Sequence, residues 1–252
     1  MKMQTRFLIP ALCIVAFPAQ SMEIKTCGDQ VILSGGITRN DYSRIVDVFD
    51  ANPQLRIAVL RNSRGGDAKT GYRVGEFFRD RNITTYVSGY CQSSCSRFFL
   101  GGAQRFFTND YPAHKTRVGF HSNYEDNGSI VPGAQGRLLQ YLAKYSDGKI
   151  DEALAKRWVN LSNRKGFAYF FNAKALNRQD QVSILLCQGS EPKNERWSTC
   201  EKIPGHDAVS MGVATSFDLK RSCDADSLTD NSEKKTSRKK IQSADAENED
   251  EQ

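Results

Sequence analysis

Between residues 30 and 121 the apolar positions follow two alternating rhythms. Short strand-like segments, the unbroken Val31-Ile32-Leu33 and Ile57-Ala58-Val59-Leu60 and the β-branched and aromatic residues 83–87, are separated by stretches in which apolar side chains recur at helical intervals. The runs predict strands, and the continuity of Ile57-Ala58-Val59-Leu60 predicts one covered on both faces. After the first run, Thr38-Arg39-Asn40-Asp41 can cap a helix on which Tyr42, Ile45, Val46 and Phe49 share one face. After the second, Gly65-Gly66 marks a turn that opens a helix carrying Tyr72, Val74, Phe77 and Phe78. The third leads through an elbow of small residues around Ser93 into an apolar helix with Phe98, Phe99 and Leu100, and Arg117-Val118-Gly119-Phe120 reads as a further strand. Strand and helix in this order favour right-handed crossovers and a largely parallel sheet, an α/β fold.

Beyond His121 the pattern turns helical, with Leu138, Leu139 and Leu142 on one stripe and Ile150, Leu154, Trp158 and Leu161 on another; residues 182–186 read as one more strand. From Asp224 onward there is almost nothing apolar, only a basic cluster at 234–240 and an acidic one at 245–251. Such a polyampholyte cannot bury enough surface to order itself, so residues 224–252 are expected to be a disordered charged tail.

At the other end, Lys2 and Arg6 precede an apolar run over residues 7–17, and Ala19-Gln20-Ser21 supplies small residues at cleavage offsets. Residues 1–21 therefore read as a secretory signal, leaving a domain of residues 22–223 and a periplasmic or secreted location. Losing Lys2 and Arg6 lowers the formal charge from +6 to +4. That is too mild and too scattered a surplus for nucleic acid. Export also makes the cysteines readable. Six of the seven lie beyond residue 21, and an oxidising compartment favours pairing them. Cys187 with Cys200 would close a short polar loop, and Cys27 with Cys223 would tie the ends of the domain. Cys91 and Cys95 are left, either bridged or as free thiols, with Cys95 then a rival nucleophile.

Three segments carry the candidate chemistry: Asn62-Ser63-Arg64-Gly65-Gly66-Asp67, Cys91-Gln92-Ser93-Ser94-Cys95 and Arg117-Val118-Gly119-Phe120-His121. In order and interval they resemble the Asn-Ser-Pro-Gly-Gly turn, small-residue nucleophile elbow and downstream histidine strand of the Clp protease proteolytic subunit and its crotonase-like relatives. The likeness extends over about residues 30–215 but is strong only across 56–121, and within the family it points to exported Clp-like proteins with a Cys-x-Ser-x-Cys elbow. The resemblance implies a spiral of ββα units with a parallel sheet and a helical handle inserted after His121. It implies Ser93 as nucleophile, His121 as base, and the Gly65 and Ser94 amides as oxyanion donors. It implies hydrolysis of peptide or protein substrates by acyl transfer, with no cofactor or metal, and makes a homo-oligomer plausible. ATP is scarce outside the cytoplasm, so no ATPase partner is expected.

The chain departs from the family at three points. Arg64 replaces the family's proline; Cys91 and Cys95 flank Ser93 at a spacing that suits a bridge badly within one regular helix. The family's triad acid would fall near Cys200, where the nearest acids are Glu201, taken as the candidate, and Glu195. These departures leave two rival readings open, a catalytically inactive binding or assembly module and a crotonase-type thioester enzyme whose paired amides would hold an enolate. Export argues against the second, because coenzyme A esters are cytoplasmic.

Overall fold

Ala58, Val59 and Leu60 are all fully buried, as an unbroken apolar run requires, and alternate between the two faces of one strand. Ala58 and Leu60 enter the main core, while Val59 joins Ile32 and Tyr86 in a smaller cluster on the other face. That strand is the middle of a mixed α/β domain seen in a computed structural model, which describes residues 21–176, 182–192 and 196–228. The segment expected to be a signal, up to residue 20, and the charged clusters beyond 228 lie outside the described residues.

In chain order the elements are β1 (Glu23–Cys27), β2 (Gln30–Ile37), α1 (Asp41–Ala51), β3 (Ile57–Gly66), α2 (Ala68–Asp80), β4 (Thr84–Gln92), α3 (Ser94–Gly101), β5 (Arg105–Thr108) and β6 (Arg117–Phe120). There follow α4 (Ala134–Tyr145), α5 (Glu152–Val159), β7 (Phe167–Phe170), β8 (Ile184–Cys187), α6 (Arg196–Thr199), β9 (Glu201–Lys202) and β10 (Leu219–Lys220). The sheet runs β1-β2-β3-β4-β6-β7-β8-β9, parallel through its centre from β2 to β6 and antiparallel towards both ends.

The sheet forks at β4. Thr85, Tyr86 and Val87 pair with β5, which pairs in turn with β10, whereas Tyr90, Cys91 and Gln92 pair with β6. Gly89 lies between the two halves at φ 78°, and a Cβ there would stand 2.1 Å from Asn62 Oδ1, so both its conformation and its packing exclude a side chain. Helices α1 to α5 all contribute side chains to the main core. α2 starts where Asp67 accepts the Thr70 amide at 2.8 Å, and α3 follows directly from β4. The helical segment after His121 docks through Trp158, which is fully buried with its ring centroid 5.0 Å from Phe170 and 6.2 Å from Phe120.

Local detail differs from the sequence expectation at two places. Asp41 does not precede α1 but opens it: its buried carboxylate reaches back to the Thr38 amide at 2.6 Å and hydroxyl at 2.9 Å, and takes a hydrogen bond from Arg44. The folded domain also does not stop at Cys223. Arg61, 7 % exposed on β3, donates to both carboxylate oxygens of Asp224 at 2.7 and 2.8 Å and to Ser222 Oγ at 2.6 Å, with Asp110 at 3.6 Å, and Ala225 is buried. A guanidinium taken out of water needs such partners, so the packed chain continues past Cys223 to at least Ala225. Arg61 holds the Asp224 carboxyl below its ordinary pKa.

The six cysteines beyond residue 21 pair as Cys27–Cys223, Cys91–Cys95 and Cys187–Cys200. The poor fit of a four-residue spacing does not arise, because Cys91 is on a strand and Cys95 on the helix after it.

Replacing Asp224 by alanine removes two charge-assisted hydrogen bonds and leaves Asp110 at 3.6 Å as the remaining carboxylate beside Arg61, and should cost about 2 kcal/mol of unfolding free energy. Urea denaturation of the oxidised protein at pH 7 measures it, and a loss below ~0.5 kcal/mol would show the pair to be a solvent-screened surface contact.

Candidate active site

Ser93 stands between the last residue of β4 and the first of α3, and it turns that corner at φ 55°, ψ −128°. A side chain in this region is strained, so neighbouring contacts must hold it there. They are present on every side. The Ser93 amide donates to Gly119 O at 3.0 Å, carrying the β4–β6 ladder one step past Gln92. Its carbonyl accepts from the Ser96 amide at 3.0 Å and hydroxyl at 2.6 Å, and the Cys91–Cys95 bridge spans the corner.

The β3 turn presses on the same corner. Gly65, at φ 86°, lies so close that a Cβ would sit 2.6 Å from Gln92 O and Ser93 Cβ and 2.8 Å from the Ser94 nitrogen. Gly65 and Ser94 therefore come together beside the Ser93 side chain. Ser94 supplies a first-turn helix amide, one of those with no intrahelical acceptor. The Gly65 amide is engaged with Ser63 Oγ at a long 3.2 Å, a bond it would exchange to serve an oxyanion.

His121 follows β6, and the pairing of that strand with β4 explains its position. Register Gln92↔Gly119 brings the chain just past each strand into contact, so His121 Nε2 lies 2.8 Å from Ser93 Oγ across 28 residues of sequence. The ring is 8 % exposed and stacks on Phe167 at 4.0 Å with a 19° tilt. For Nε2 to accept the serine proton, the ring must carry its own proton on Nδ1. Among the described residues no carboxylate hydrogen-bonds Nδ1; the backbone of Arg164 and Gly166 is its polar surrounding.

Beneath the histidine lies a charge the sequence reading did not single out. Arg97, 1 % exposed in α3, donates to Asn123 Oδ1 at 2.6 Å and to His121 O at 3.4 Å, its guanidinium 4.9 Å from the centre of the Tyr72 ring. Burial first and the Arg97 cation second lower the His121 pKa to about 3, against the favourable backbone of Arg164 and Gly166. The ring is thus neutral at ordinary pH. The trace of Arg97 in the sequence is one arginine inside the apolar run of α3, with nothing there to name its partner.

Glu201, the sequence candidate for a third catalytic residue, does not join this group. It is half-exposed on β9 and ion-paired with Arg157 of α5. Glu195 lies outside the described residues. The carboxylate that lines the cleft is Glu191, whose oxygens accept the Gln188 amide and, at 2.8 Å, the Gly189 amide. It is delivered by the loop that Cys187–Cys200 closes. These two cysteines and Glu191 are also the one group of three metal-type ligands that comes together among the described residues, and the disulfide occupies both sulfurs. The cleft over Ser93 and His121 measures about 640 Å³ and is lined further by Arg64, Tyr90, Arg117 and Tyr169.

No family model matches the chain, and no curated protein matches it either. Among solved structures, the fold is similar to ClpP1 from Listeria monocytogenes, at 12% identity over 77% of this chain and 93% of that one, with a TM-score of 0.45. It is also similar to a mutant of the 1510-N membrane-bound stomatin-specific protease, at 16% identity over 52% of this chain and 67% of that one, TM-score 0.38. A second mutant of that protease, in complex with a substrate peptide, matches at 17% identity over 52% of this chain and 64% of that one, TM-score 0.37. The matched region thus spans about two thirds of the length of the stomatin-specific protease chains.

A histidine with a folded pKa near 3 binds its proton more readily once unfolded, where the value is about 6.5. Its neutral burial stabilises fully above pH 6.5, and that contribution is lost as pH falls from 6.5 towards 3. Between pH 7 and 4.5 the wild-type protein should therefore lose about 2 kcal/mol more than His121→Gln, read by paired urea denaturations. Equal losses would mean that the ring is hydrated and titrates normally.

Proposed function

We propose that the chain is a Clp-protease-like serine hydrolase that cleaves peptide bonds by acyl transfer, exported and independent of ATP. Ser93 Oγ attacks the carbonyl, neutral His121 takes the proton on Nε2 and returns it to the leaving amine, and the Ser94 and Gly65 amides receive the oxyanion. The observation that carries this reading is the 2.8 Å contact between His121 Nε2 and Ser93 Oγ at a corner strained into φ 55°. Three disulfides support the exported location, since such bridges persist in oxidising compartments. With no carboxylate on Nδ1 among the described residues, ring orientation there falls to the Phe167 stack and the Arg97 contact to the His121 carbonyl.

A second reading is favoured by the same Nδ1 environment and by the engaged Gly65 amide: a binding module that retains the fold without turnover. Fluorophosphonate labelling separates the two. Ser93 should label on the folded, oxidised protein; Ser93→Ala should abolish labelling, and His121→Ala should slow it by at least about 10³-fold. The double mutant should be no worse than either single one, because nucleophile and base act as a unit. Absence of labelling on wild-type protein sinks the hydrolase. With His121 as base at a pKa near 3, kcat/KM should stay flat from pH 8 down to about pH 4, where an ordinary histidine would already have cut it more than tenfold.

A further inference from the structure

Around Ser93 the cleft gathers Arg64, Arg117, Arg164 and Lys165, with Glu191 as the one carboxylate of the lining among the described residues, and His121 adds no charge because it is neutral. These cations come from three separate parts of the fold. Arg64 stands directly before Gly65, whose backbone touches Ser93 and Ser94. Arg117 sits on β6 opposite Tyr90, with its guanidinium 5.4, 5.7 and 5.0 Å from the ring centres of Tyr90, Tyr169 and Trp197. Arg164 and Lys165 lead into β7, whose first residue is the Phe167 that stacks on His121.

Several arginines elsewhere, Arg44, Arg61, Arg79, Arg81, Arg105 and Arg157, each have a carboxylate within 4 Å, while Arg73, Arg97 and Arg137 rest on aromatic rings or neutral acceptors. Arg64 and Arg164 are exposed and have no ion pair among the described residues. Glu191, whose oxygens accept backbone amides, keeps its negative charge and offsets one of the four cations, so the described lining retains a positive surplus. A concave site with one sign of charge focuses its field on the opening, and guanidinium groups bind carboxylates through paired hydrogen bonds.

We infer that the site selects peptides bearing carboxylates next to the bond that is cut, with Arg64, Arg117, Arg164 and Lys165 as specificity-determining residues. The inference rests on the peptidase reading, and deepens it by naming the substrate class. The carboxylate belongs either to an Asp or Glu side chain or to the peptide's own C-terminus, and both present the same group to the same cations.

The test uses quenched fluorescent peptides of one length that carry Glu or Gln flanking a common central sequence, each with a free or an amidated C-terminus. At low salt the Glu peptide should show a kcat/KM at least about tenfold above the Gln peptide, and the ratio should shrink towards one at about 0.5 M NaCl. The paired substitution Arg164→Glu with Lys165→Glu should lower the ratio at least about fivefold, and Arg64→Glu, on a different strand, is the second variant. A preference that survives amidation assigns the carboxylate to a side chain, and one that amidation removes assigns it to the C-terminus. Anisotropy of the same peptides on Ser93→Ala protein reads the preference as a ratio of Kd without turnover. If wild-type Ser93 labels with fluorophosphonate but both ratios sit at one and ignore salt and charge reversal, the inference is overturned and the hydrolase stands. If binding discriminates and nothing labels, the hydrolase reading falls while the preference for carboxylates stands.

Discussion

The β3 turn can meet the β4–α3 corner only because position 65 has no side chain. With contacts of 2.6 and 2.8 Å waiting for any Cβ, the backbone of Gly65 lies against the backbone and Cβ of the next crossover. That closeness puts a backbone amide beside a helix-start amide without help from a flexible side chain, and amides fixed by secondary structure need no reorganisation when charge develops. An alanine at position 65 would have to part β3 from β4, neighbouring strands at the centre of the sheet. The geometry of the candidate site is therefore a property of how two crossovers fit together.

The second constraint is the division of β4 between two partners. Its first half is bound to β5 and its last three residues to β6, so the strand end carrying Ser93 belongs to a different branch from the strand start that anchors it. His121 reaches Ser93 because β6 is in register with that last segment, and Phe167 reaches His121 because β7 is in register with β6. Each partner of the serine is thus placed by strand pairing, with ring stacking and one buried arginine setting orientation and charge.

Much of this was legible in the sequence, for stated reasons. The runs at 31–33 and 57–60 announce buried strands because a strand covered on both faces holds apolar residues throughout, and 83–87 and 117–120 read as strands from their β-branched and aromatic residues. Ser93, Ser94, Gly65 and His121 stood out because small residues and a histidine recur at strand ends in a recognisable order, and the structure does bring them together. What stayed hidden was short or remote. β1 reads as polar Glu-Ile-Lys-Thr-Cys, and the short β5 and β7 carry no family-like segment or flanking signal to mark them. The ion pair between Arg61 and Asp224 spans 163 residues, so composition alone drew the domain boundary too early. Arg97 and Glu191 gain their roles only from what the fold sets opposite them, and Glu201 lost its expected one because β9 turns it towards Arg157.

The Cys27–Cys223 bridge, 196 residues apart in sequence, makes the domain a covalent ring. One sulfur closes the end of the β1 edge strand and the other follows β10, at the far tip of the shorter branch of the sheet. A single nick in any loop between them leaves one molecule, as a cut in a hoop leaves one strip. Tension applied to the two ends of the chain runs through the disulfide and bypasses the hydrogen-bonded ladders. Mechanical load and proteolytic nicking are thereby uncoupled from the strands that hold Ser93 against His121.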